Sequence, residues 1–219
     1  MSAEEGKGGP GWTTMKIDPE IFEELGVRDP EEIKREMEIS KRVRQVRKEL
    51  KDKPDDVELQ LELGRLFIDG GELDDATKQL KQVISRDNQN GLAYKLLGTA
   101  YAMSNHEDEA IRELTRASEL LPEDSEVHLN LGGVFMLQDM YESAARCFRK
   151  VVEIDPMDRL GYANLAAAYD MDKKYDEEIQ VLKKILMFAP EDIELRSALS
   201  TAYFNSENYD EALNHALCV

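Results

Sequence analysis

Residues 91–124 read GLAYKLLGTAYAMSNHEDEAIRELTRASELLPED, and residues 125–158, which follow without a gap, read SEVHLNLGGVFMLQDMYESAARCFRKVVEIDPMD. Set one above the other, they place Leu97 over Leu131, Gly98 over Gly132 and Tyr101 over Phe135. Further along, Ala110 stands over Ala144, Leu114 over Phe148 and Pro122 over Pro156. The frame extends upstream to Leu63, Gly64, Phe67, Ala76, Leu80 and Val83. Downstream it continues through Leu165, Ala166, Tyr169, Leu182, Ile185 and Pro190 to Leu199, Ser200, Tyr203 and Ala212. A period of 34 residues therefore persists through five blocks, 57–90, 91–124, 125–158, 159–192 and an incomplete 193–219. Self-similarity at a fixed period of about 20–50 residues is the mark of a repeat array.

Each column has a physical reason. Leucine and an aromatic four residues on fall on one face of a helix. The small residue beside that leucine lets a partner helix come close. Turn-forming stretches follow at Asp69-Gly70-Gly71-Glu72, Ser104-Asn105-His106 and Asp172-Lys173-Lys174. A second helix then repeats the logic, with a small residue and a large apolar one four later. Pro122, Pro156 and Pro190 end it, because proline disfavours helical geometry in the residue before it. Acidic residues open the next helix at its positive end. One such hairpin cannot bury its apolar face alone, whereas stacked neighbours share a continuous core.

This arrangement resembles the tetratricopeptide repeat over roughly residues 55–219. The resemblance implies an all-α fold, a right-handed α-solenoid of stacked helix–turn–helix units whose first helices line a concave face. Two positions depart from the pattern. Glu178 fills a slot that is alanine in the other four blocks, which predicts a looser or shifted hairpin there. Asn88 replaces the proline that ends later blocks.

The segments before the array read differently. Residues 1–17 are polar and glycine-rich, the composition of a disordered tail, with Trp12 as a candidate anchor. Residues 18–54 predict a short helix around Ile21–Leu25 and a longer one from Asp29-Pro30 to about Lys53. Pro54 is in phase with Pro122, so the long helix reads as the second half of an incomplete block. Its Ile39, Val43, Val46 and Leu50 would cap the first core face. Lys41, Arg42, Arg44, Arg47, Lys48 and Lys51 make its outer face basic, read as a solvated cap in preference to a membrane or nucleic-acid surface. The chain stops inside the second helix of block five, which suggests a truncation or an end face covered by a partner or second copy.

The net charge is −18, and residues 55–219 carry nearly all of it, with 16 basic and 33 acidic side chains. An acidic body repels phosphate backbones, so nucleic acid is not an expected partner, whereas a basic segment is. No apolar run is long enough to insert in a membrane. Two cysteines 71 positions apart suit a reducing compartment, and the expected location is the cytoplasm. No nucleophile–base, metal-spaced or phosphate-binding motif is present in the sequence. No enzymatic activity, metal or cofactor is therefore expected. His106 falls in a turn, His128 takes a core-facing aromatic slot, and Cys147 reads as a passive thiol.

What the resemblance does imply is a ligand surface on the first helices. Its residues are the second, fifth, sixth, ninth, twelfth and thirteenth of each block. Block two contributes Leu92, Lys95, Leu96 and Thr99, then Ala102 and Met103. Block three contributes Leu129, Asn130, Gly133 and Met136, with Glu126 and Leu137 at the ends. Block four contributes Leu160, Ala163, Asn164 and Ala167, followed by Asp170 and Met171. The set is apolar with a small floor, suited to a peptide or helix of a partner protein. Asn130 and Asn164 are similar to the asparagine ladder of repeat-bearing protein O-linked sugar transferases. Repeats that grip the acidic tails of heat-shock chaperones need three cations, and here only Lys95 matches one, beside Asn130. The expected function is a protein–protein interaction scaffold. The alternatives are a homo-oligomer joined through its end faces and a regulatory region of a larger enzyme such as a sugar transferase.

Overall fold

The computed structural model describes residues 29–217. The predicted helix near Ile21 and the Trp12 tail lie outside the described residues. Helix α1 (Pro30–Asp52) starts where Asp29 Oδ1 accepts the backbone N–H of Glu31 at 2.9 Å, with proline in the first turn. Val43 and Val46 are buried, with Ile39 and Leu50 packed beside them. Five hairpins follow. They are α2 (Val57–Asp69) with α3 (Leu73–Arg86), α4 (Gly91–Met103) with α5 (Glu107–Leu120), and α6 (Ser125–Leu137) with α7 (Tyr141–Ile154). Then come α8 (Arg159–Met171) with α9 (Tyr175–Phe188), and α10 (Ile193–Asn205) with α11 (Tyr209–Leu217). Each helix packs on the next in sequence, and α4 also touches both α2 and α6. Among the described residues every element is a helix. This is an α-solenoid.

Two polar devices recur at the same 34-residue interval. Asp56, Asn90, Asp124, Asp158 and Asp192 cap the first helices. Their side chains accept the backbone N–H groups of Leu59, Ala93, Val127, Gly161 and Leu195. Each thereby satisfies a donor that the helix cannot. Between the two helices of every hairpin, one residue takes a left-handed conformation, with φ of 75° at Gly71, 55° at Asn105 and Asp139, 57° at Lys173 and 63° at Glu207. The next N–H then closes back on the carbonyl of the aromatic column, as from His106 to Tyr101 at 2.9 Å and from Lys174 to Tyr169 at 2.8 Å.

The small residue beside the leucine is a spacing device. A Cβ added at Gly132 would stand 2.5 Å from the Phe148 ring. The two helices of that hairpin therefore approach as closely as glycine allows. Leu80, Leu97, Leu114 and Leu199 are fully buried in the shared core, each contributing roughly 1.5–3 kcal/mol by leaving water. The buried residues fall into two clusters, one from α1 to α7 and one from α7 to α11, and Phe135 packs against both.

Of the looser or shifted fourth hairpin expected from Glu178, the shift is absent, while its two helices touch less extensively than those of the first three hairpins. Helices α8 and α9 begin and end in phase with their neighbours. The chain tolerates the glutamate by burying it. No described helix is long and apolar enough to cross a membrane.

Candidate partner-binding face

The first helices present an apolar stripe at their C-terminal ends. Met103, Leu137 and Met171 occupy the same position in successive blocks and are 53, 67 and 51% exposed. Leu92 and Leu160 are exposed at the N-terminal ends of α4 and α8, with Ala163 and Ala167 exposed along α8. Between these lie half-buried Leu129, Asn130, Gly133 and Met136 of α6 and Asn164 of α8. A Cβ placed at Gly133 would meet nothing within 4 Å, so this glycine borders open space, unlike Gly132 beside it.

Lys95 and Leu96 do not stand as the sequence suggested. Lys95 is only 7% exposed, and its Nζ donates to Asp124 Oδ2 at 2.9 Å and Glu126 Oε2 at 2.7 Å. Burial works against its charge, but Glu126 and Asp124 outweigh that and hold its pKa above the ordinary value. Burial likewise opposes ionisation of Asp124, yet Lys95 and the N–H groups of Val127 and Glu126 keep its pKa low. The lysine is a tie between blocks two and three. A partner's carboxylate would find it already neutralised. Leu96 is buried too, contributing to the core and to the floor of a hollow of about 230 Å³ between α2 and α4.

Thr99 and Asn130 also join neighbouring helices. Asn130 Nδ2 donates to Thr99 Oγ1 at 3.1 Å, and Thr99 in turn donates to the Lys95 carbonyl at 2.9 Å. One amide donor of Asn130 is thus committed, while Asn164 has no such bond among the described residues. His128 is half-buried and not in the core, with Nε2 3.0 Å from the Pro122 carbonyl. Gln60 and Arg196, in the same column, also reach the carbonyls of Pro54 and Pro190. Tyr94 and Tyr162 occupy that column in other blocks, which made it look aromatic. Cys147 is buried, and burial pushes its pKa to about 11, so it is an uncharged thiol at neutral pH.

The charge on this face is one-sided. Glu58, Asp69, Glu126, Asp170 and Glu194 are exposed on the first helices, and Arg65 is the exposed cation at the corresponding positions. Behind Asp170 lies Glu178, 7% exposed, with an Oε2 that accepts no hydrogen bond. Burial, and then the charge of Asp170, raise its pKa to about 7. The sequence marked Glu178 as an exception in its column but not as a buried acid.

Two family models, both described as tetratricopeptide repeat, match residues 36–116 and 96–156. The chain belongs to the tetratricopeptide-repeat family. Solved structures agree on the fold. One of MamA superposes with a TM-score of 0.66 at 21% identity, covering 74% of this chain and 88% of that one. MamA from Desulfovibrio magneticus RS-1 gives 0.63 at 21% identity over 74% of this chain and 92% of its own. YrrB, described as a tetratricopeptide-repeat protein with an unusual peptide-binding site, gives 0.70 at 17% identity over 79 and 89%. At such identities the likeness is one of fold. No curated protein sequence matches the chain.

Proposed function

We propose that the chain is a non-enzymatic interaction scaffold that holds a peptide or helical segment of a partner protein along its first helices. The carrying observation is the recurrence of Met103, Leu137 and Met171, each more than half exposed, beside the open space at Gly133. Apolar surface repeated at a fixed spacing suits a segment whose own apolar side chains recur. Methionine adapts its shape to what it meets. The peptide-binding site ascribed to YrrB adds support by analogy of fold. The acidic rim favours an apolar or basic segment over an acidic one or a nucleic acid. The free thiol of Cys147 suits a cytoplasmic setting.

The test is selection from a random-peptide library on the wild type, followed by affinities for a Met103→Glu, Leu137→Glu, Met171→Glu variant. These side chains are exposed, so helix content persists. Selected peptides are expected to lose tenfold or more in affinity, about 1.4 kcal/mol. Equal binding to both proteins overturns the reading.

A second reading, self-association through an end face, is favoured by a hollow of about 460 Å³ on α10 and α11. Exposed Phe204, Tyr209 and Leu213 line it. Sedimentation across a wide concentration range decides it, and a persistent monomer removes it.

A further inference from the structure

The seams between successive first helices are filled in different ways. Between α4 and α6 the chain supplies its own filling. Lys95 lies across that seam with Nζ on Asp124 and Glu126, and Asn130 donates to Thr99. One block earlier, between α2 and α4, Leu61 stands for Lys95, Leu92 for Glu126, Leu96 for Asn130 and Arg65 for Thr99. Neither the ion pair nor the hydrogen bond can form there. What remains is the hollow of about 230 Å³, lined by Leu61 and Leu96, with Leu92 at its edge 36% exposed.

Three charged side chains complete the lining, and they are not equivalent. Glu62 is committed, because both its carboxylate oxygens accept from the Arg42 guanidinium, which ties α2 to α1. Glu58 and Arg65 are exposed and take part in no ion pair among the described residues. They lie two helical turns apart on α2, about 10 Å along its axis. An apolar hollow therefore opens between an available anion and an available cation. A large apolar side chain gains by leaving water there. Beside it, Arg65 offers a negative group a planar, charged fork, whereas Glu58 repels such a group on the other side. The rest of the exposed charge on this face is acidic, so Arg65 marks the place where a partner's acidic residue is favoured.

We propose that the hollow between α2 and α4 receives one large apolar side chain of a partner segment, and that Arg65 pairs with an acidic side chain next to it in that segment. The path of the remaining segment rests on the first-helix reading above; the hollow and its guanidinium do not. Together the two contacts fix which residue of the segment enters the array at its first seam.

The blocked dipeptides acetyl-leucyl-glutamyl-amide and acetyl-glutamyl-leucyl-amide test the site alone. Their controls carry glutamine for glutamate or alanine for leucine. Binding is read from the methyl carbon-13 NMR signals of Leu61, Leu92 and Leu96. At least one order is expected to shift them saturably, and to lose about tenfold or more in affinity with alanine and roughly two- to fivefold with glutamine. Arg65→Ala, at an exposed position, should abolish the glutamate preference and leave the leucine preference. Leu61→Lys with Leu92→Glu copies the seam between α4 and α6, a pairing the same fold already accommodates one block on. Its filled hollow should bind about tenfold more weakly. No saturable shift, equal binding of the alanine control, a glutamate preference that survives Arg65→Ala, or full binding to the filled variant overturns the proposal. Selected library peptides should likewise lose about tenfold on the filled variant. Peptides that depend on Met103, Leu137 and Met171 but bind the filled variant fully sink the anchor and leave the groove. A leucine-dependent dipeptide response without any groove-dependent peptide does the reverse.

Discussion

Replacing Glu178 with alanine takes a carboxyl group out of the interior of the fourth hairpin, and the effect on stability depends on pH. In the folded chain this group has its pKa raised from the ordinary 4.5 to about 7, by burial first and by Asp170 second. In the unfolded chain it ionises near 4.5. Between these values the folded state keeps a proton that the unfolded state has lost, so raising the pH favours unfolding. Stability from the neutral group is full below about 4.5 and is lost as the pH climbs through 7. A shift of about 2.5 pKa units at 1.36 kcal/mol each gives a deficit of ~3 kcal/mol above neutrality. The alanine variant lacks that deficit. It also loses one buried methylene, about 0.8 kcal/mol, but this loss is the same at every pH. Comparing pH 5 with pH 8 therefore isolates the charge. The variant should gain ~2 kcal/mol on the wild type over this interval, or roughly 4–8 °C in thermal midpoint for a domain of this size. Circular dichroism melts measure the midpoint. Amide exchange in α8 and α9 reports the local effect, which matters because repeat arrays can unfold in parts. An offset between variant and wild type that is identical at pH 5 and pH 8 would show that Glu178 carries no buried charge.

Three further outcomes are expected. Gly132→Ala should destabilise by roughly 1–3 kcal/mol, because its Cβ would strike the Phe148 ring, while Gly133→Ala, facing open space, should stabilise by up to about 1 kcal/mol; chemical denaturation of the pair compares them directly. Lys173→Gly should stabilise by up to ~1 kcal/mol by relieving a left-handed backbone, seen as a higher denaturation midpoint with an unchanged slope. Asp124→Ala removes both a helix cap and a counter-charge of buried Lys95, and should cost about 2–4 kcal/mol. The wild-type share of that stability is present above the ordinary aspartate pKa and is lost as the pH falls through the lowered one, so an acid titration of wild type and variant should converge at low pH.

The array was legible because phase repeats, and phase survives substitution at single positions. The columns of Gly98 and Tyr101 vary from block to block while that of Leu97 stays leucine throughout, and the interval never changes. The capping aspartates and the left-handed turn residues obey the same interval. They were harder to see because their role is backbone geometry, which Asn105, Asp139, Lys173 and Glu207 fulfil with four different side chains. Position within a block gave the side on which a residue lies but not how deep. Lys95 and Met103 fall on the same face, and only the neighbouring Asp124 and Glu126 draw one of them inward. His128 shows the same limit from the other side. Its column is shared with tyrosines, but its imidazole lies against the Pro122 carbonyl and stays half-buried, outside the core. Glu178 stood out as an exception, yet whether a glutamate in an alanine slot opens the hairpin or sinks into it is decided by packing in three dimensions.

Since the main contacts of each described helix are with its neighbours in sequence, and those of α4 also with α2 and α6, folding there does not wait on a distant part of the chain. Ordering one hairpin closes only short loops, whose entropic cost is small. Such a topology folds quickly from any starting point, and its assembly time should scale weakly with the number of hairpins. The same property confines damage: a lesion in one seam erodes the array from that joint outward, like a zip fastener with one bent tooth, and leaves remote joints engaged.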